Sequence, residues 1–89
     1  MQNEFELKRR AMSAYWQSIT EGGYRPAYEP SFNESFVDVD PANERVYVAL
    51  RDQHSNILKC YRYNANKQLK ALTRIPKFMR TTGQVIPFN

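Results

Sequence analysis

Between residues 4 and 21 apolar side chains recur at the spacing of one helix face, with Phe5, Met12, Tyr15, Trp16 and Ile19 separated by the small Ala11 and Ala14. Asn3 is a natural N-cap, Glu4 and Glu6 suit the positive end of the helix dipole, and Gly22 and Gly23 are expected to stop the element. The pattern predicts a helix over 4–21. Residues 22–34 read as a connector, because Pro26 and Pro30 push the residues before them into extended geometry. Tyr24, Tyr28 and Phe32 sit four apart in this connector and form a candidate partner-binding arm. The commoner use of such rings is to pack back onto their own domain.

The period then changes from helical to alternating. Segments 35–39, 45–51 and 57–63 are rich in β-branched and aromatic residues and are separated by turn-forming runs at 40–44 and 52–56. They predict a three-stranded antiparallel meander. A four-residue loop from Pro41 to Glu44 pairs Val39 with Val46 and Val37 with Val48, which puts the valines on one apolar face. In the second hairpin, setting Leu50 against Leu58 sets Val48 against Cys60. Arg45, Tyr47, Ala49 and Arg51 then share the other face with Lys59, Tyr61 and Tyr63.

After Asn64 and Asn66, either of which can cap, Leu69, Leu72 and Ile75 predict a second helix over 66–75, broken by Pro76. Residues 76–89 read as a tail whose Gln84 to Phe88 run is a candidate edge strand. The expected fold is α+β: a two-layer sandwich of α-β-β-β-α order, with the meander packed against two helices and one sheet face partly open. A chain of 89 residues has room for one core, so a single domain spanning 1–89 is expected.

Charge changes this picture. Residues 1–44 carry four basic side chains against eight acidic ones, a net −4, whereas residues 45–89 carry nine basic ones against Asp52 alone, a net +8. Clustered lysine and arginine release counterions from a polyanion, which makes DNA or RNA a candidate partner. The alternative is that the acidic half neutralises the basic half inside the fold. On the expected helix, Lys67, Lys70 and Arg74 form one basic stripe opposite the leucines. On the expected open sheet face, Arg45, Arg51 and Lys59 interleave with Tyr47, Tyr61 and Tyr63, as on surfaces that stack bases and track phosphates.

The α-β-β-β-α order, with lysines opening the last helix, is similar at the level of fold to double-stranded-RNA-binding domains. The resemblance implies lysines set against phosphates. The family's glycine-rich approach and lysine pair are replaced here by the run from Tyr63 to Lys70, Tyr-Asn-Ala-Asn-Lys-Gln-Leu-Lys.

Catalytic chemistry finds little support. Nucleophilic catalysis needs a base beside its nucleophile. The single thiol, Cys60, and the single imidazole, His54, are expected roughly 20 Å apart along a strand at ~3.3 Å per residue. The acidic hairpin of Asp38, Asp40, Asn43 and Glu44 lacks the glycine and the spacing of a calcium loop. No nucleotide fingerprint is present, so neither a cofactor nor a metal is expected. One cysteine fits a reducing compartment, residues 1–10 contain no signal-peptide core, and no run reaches the ~20 apolar residues of a membrane span. The expectation is a cytoplasmic, non-enzymatic accessory domain that binds nucleic acid, mainly through phosphate contacts. Its alternative is a protein-interaction module: an inhibitor, an adaptor or a homodimer.

Overall fold

A computed structural model describes residues 4–22 and 29–79, with the backbone alone described over 20–22. The chain is α+β. A helix, α1 (Glu4–Gly22), is followed by four strands, β1 (Ser31–Val39), β2 (Val46–Arg51), β3 (Ile57–Tyr63) and β4 (Leu69–Ala71). The strands form one antiparallel sheet in the order β1-β2-β3-β4.

The first hairpin has the register its alternation predicts, with Val37 opposite Val48 and Val39 opposite Val46. Its four-residue loop closes when Glu44 N–H donates to Asp40 O at 2.7 Å, with Glu44 at a φ of 60°. The side chains of Asp40 and Asn43 accept from the backbone of Ala42 and Arg45, so the turn residues supply their own hydrogen bonds.

The second hairpin departs from expectation through one extra residue. Arg51 faces Ile57, as the predicted register requires, but a bulge then brings Lys59, and not Leu58, opposite Leu50. Every later pair slips by one: Ala49 faces Cys60, Val48 faces Tyr61 and Val46 faces Tyr63. Because side chains alternate, a one-residue slip moves a whole strand's set to the opposite face. Tyr61 and Tyr63 therefore join the valine face, and Cys60 leaves it.

The predicted helix over 66–75 is not formed. Asn64, Ala65, Asn66 and Lys67 make a tight turn, in which Lys67 N–H donates to Asn64 O at 2.9 Å and Lys67 takes a φ of 64°. Residues 69–71 then pair with β3, and Leu72 N–H reaches Cys60 O at 2.9 Å. A helix this short is marginal by itself, Thr73 and Ile75 are β-branched, and the free edge of β3 offers backbone partners that a helix would leave unmade. The likeness to double-stranded-RNA-binding domains rested on that second helix and lapses with it.

Two apolar clusters result, one on each side of the sheet. On the first, Leu7 and Ala11 of α1 pack onto Val48, Leu50 and Tyr61, with Tyr15, Val46, Tyr63 and Leu69 around them. Val48 and Leu50 are fully buried, and burial of such a side chain is worth about 1.5–3 kcal/mol. The buried stripe of the helix is Leu7, Ala11 and Ile19, while Phe5 and Trp16, expected on that face, are exposed. On the second side, Tyr47, Ala49, Ile57 and Cys60 are covered by Leu72, Ile75, Phe78 and Met79. The segment after β4 thus closes the face expected to stay open, and Leu69 and Leu72 fall on opposite faces because they belong to extended chain. Residues 80–89, with the expected edge strand, lie outside the described residues.

Candidate functional site

The slip in β3 separates the residues expected to form one aromatic and basic face. Tyr47 lies on the second face, buried, with its ring 5.1 Å from Phe78. Tyr61 lies under α1, where burial and then the neighbouring Tyr15 push its phenol well above the usual tyrosine value. Neither ring is available to a base. Arg51 is occupied structurally: its Nε donates to Glu34 O at 2.5 Å, its guanidinium is 3.7 Å from the Glu34 carboxylate, and it lies 5.0 Å from the Phe36 ring. Lys59 is half-buried on the α1 face opposite Leu50. Of the connector rings, Phe32 packs back onto α1, 5.0 Å from Phe5 and with Lys8 Nζ 4.2 Å above it. Tyr24 and Tyr28 lie outside the described residues.

In place of the expected face, the fold assembles basic side chains at the end of the sheet where β3 turns into β4. Lys67, Lys70 and Arg74 do not form a helical stripe, because they sit in a turn, a strand and a loop. Lys70 stands directly opposite Arg62, and Arg62 directly opposite Tyr47, on the second face of the sheet. Arg62 also lines a cavity of about 330 Å³ with Tyr47, Leu72, Ile75, Arg74 and Lys77. Arg62 Nε donates to Asn64 Oδ1 at 3.0 Å, which holds the guanidinium at the sheet end. Arg62 and Lys77 carried no signal of their own in the sequence beyond their charge. Only the bulge, which sets the side to which Arg62 projects, and the fold-back of 72–79 bring them together.

No carboxylate pairs with Arg62, Lys70, Arg74 or Lys77 among the described residues. Asp52, the single acid after residue 45, sits in the β2–β3 turn at the other end of the sheet. There it accepts from the His54 and Asn56 backbones at 2.8 and 3.0 Å and from Asn56 Nδ2 at 2.8 Å. Burial raises its carboxyl, but these hydrogen bonds and His54 outweigh burial and hold it below the usual carboxylate value. Asp38 shares the cross-sheet row with Arg62, two strands away beyond Tyr47, about 10 Å at the usual strand spacing.

A second cavity, of about 570 Å³, opens at the same end of the sheet on the α1 side. Glu44, Arg45, Val46, Tyr63, Asn64, Ala65 and Lys67 line it. Arg10 of α1 anchors this corner, donating to Lys67 O at 2.7 Å and lying 5.7 Å from the Tyr63 ring centroid.

Burial pushes the Cys60 thiol up to about 12, so at neutral pH it is protonated and enclosed. His54 is exposed in its turn. No group of three metal-ligating side chains occurs among the described residues, and Asp38, Asp40 and Asn43 spend carboxyl or amide oxygens on backbone N–H groups. No described helix is long and apolar enough to cross a membrane.

The class these features define is an α+β protein with an antiparallel sheet covered on both faces and a basic end. The chain matches no protein-family model, no curated protein and no solved structure.

Proposed function

We propose that the protein is a small, non-enzymatic, cytoplasmic domain that binds nucleic acid through the phosphate backbone, using the basic end of its sheet. The observation that carries this reading is the direct opposition of Arg62 and Lys70 beside a cavity lined by Arg74 and Lys77, with no carboxylate paired to any of the four among the described residues. Like charges facing each other across a strand pair destabilise a sheet. A polyanion relieves that repulsion, since each phosphate neutralises a cation and releases condensed counterions. Phosphates are uniform along a strand and the rings of Tyr47 and Tyr61 are enclosed, so discrimination between sequences is poor.

Titration of labelled DNA and RNA across a salt series tests this. Four phosphate contacts give a plot of log affinity against log salt concentration with a slope of roughly −3 on single strands and roughly −3.6 on duplex DNA. Absence of binding at low salt, or a flat slope, excludes the reading and leaves the protein-interaction alternative.

A further inference from the structure

We infer that the cavity on the α1 side is a base-stacking pocket with Tyr63 as its platform, so that the ligand of the basic end is single-stranded nucleic acid and not duplex. The inference rests on the nucleic-acid reading above and deepens it.

The geometry behind it is the relation of the two cavities. Arg62 and Tyr63 are consecutive residues of β3, one lining the cavity on the second face and the other lining the cavity on the α1 face. Alternation along a strand makes the two cavities neighbours across the thickness of the sheet. Between them runs the Asn64–Lys67 turn, tied to α1 by Arg10. A polyanion held by Arg62, Lys70, Arg74 and Lys77 meets two further cations, Arg45 and Lys67, once it crosses this turn. Both are exposed, and neither has a carboxylate partner among the described residues.

Between Arg45 and Lys67 the cavity wall is Val46, Tyr63 and Ala65 with the Asn64 amide, and Glu44 puts one carboxylate on its rim. Tyr63 is half-buried among Val46 and Leu69 and presents to the cavity the one tyrosine ring of β2 and β3 that is not buried. Arg10 lies over the Tyr63 ring, 5.7 Å from its centroid, so the stacking surface is the ring face turned to the cavity; a ring flanked by cations suits a base stacked there with its phosphates held alongside. A duplex keeps its bases stacked inside and is too stiff to fold around a four-residue turn. A single strand can splay a base into the pocket while its backbone continues onto the other face.

The test compares three ligands on the full chain: a labelled single strand, an abasic strand of the same length, and a duplex. With the wild type, the single strand is expected to bind roughly 5- to 150-fold more tightly than the abasic strand, the range that one stacked base supplies. Tyr63→Leu brings the two to equal affinity with the salt slope retained, and Tyr63→Phe keeps the wild-type preference. Equal binding of the single and abasic strands by the wild type, or preference for duplex, overturns the stacking pocket while leaving backbone binding intact. Failure to bind any of the three removes the nucleic-acid reading itself. Circular dichroism establishes that the variants fold, and the wild-type comparison decides the matter if Tyr63→Leu does not.

Discussion

Arg62 on β3 and Lys70 on β4 face each other directly across an antiparallel pair, two cations on one rung of the sheet. Lys70→Glu turns the repulsion into an attraction across the same rung. It is expected to raise stability by about 0.2–1 kcal/mol, read from the urea midpoint. The same substitution weakens nucleic-acid binding and makes the salt slope shallower by about 1. A variant that gains stability and leaves binding untouched would remove Lys70 from the interface.

Ser35 sits in the irregular stretch of β1 between the pairs Ser31–Arg51 and Phe36–Ala49. Its buried hydroxyl accepts from Arg51 N–H at 3.0 Å and donates to Ser31 O at 2.7 Å, linking the two strands across the irregularity. Ser35→Ala removes both of these hydrogen bonds at a nearly closed site and is expected to cost about 1–3 kcal/mol. Chemical denaturation measures it, and a loss well below that range would show water entering in place of the hydroxyl.

Asp52 gives the stability a dependence on pH. Its carboxyl titrates lower in the folded chain than in the unfolded one. The stability it contributes is therefore fully present above the unfolded value, near 4, and is lost as pH falls through the lower folded value. Melting temperatures followed from pH 7 to pH 3 should fall more steeply for the wild type than for Asp52→Ala, the two curves converging at the acid end. Parallel curves would show that Asp52 is not responsible.

Cys60 is fully buried beside Ala49, Ile57 and Met79. At pH 8 the folded protein is expected to resist a thiol reagent, and denaturant should expose one reactive thiol with the same midpoint as the loss of secondary structure. Fast labelling under native conditions would show that the cover formed by residues 72–79 opens.

Lys67 adopts a left-handed backbone conformation that a residue with a Cβ enters at a cost. Lys67→Gly is expected to stabilise the protein by about 0.5–1 kcal/mol, since relief of strain exceeds the added freedom of the unfolded chain. Were residues 66–75 a helix, glycine would destabilise by a similar amount. Thermal melts give the sign.

Elements whose residues act on near neighbours were legible in the chain alone. The first helix follows from its apolar periodicity, although Phe5 and Trp16 proved exposed, and the first hairpin follows from alternating valines joined by a turn that Asp40 and Asn43 satisfy locally. Even in the second hairpin the pair nearest the loop, Arg51 with Ile57, agrees with the register read from the sequence. The excess of cations after residue 45 was also plain, although the arrangement of those cations was not.

The remaining features hang on contacts between residues far apart in the chain. The bulge at the start of β3 is one residue in length, yet it moves Tyr61 under α1 and Arg62 to the opposite face. Lys70 and Arg74 looked like a helical stripe because Leu69, Leu72 and Ile75 have helical spacing. The open edge of β3 took residues 69–71 into the sheet instead, where backbone hydrogen bonds outweigh the weak preference of a short helix. Arg62 and Lys70 consequently meet across a strand pair that no local pattern announces, and their opposition is the feature on which the proposed binding surface rests.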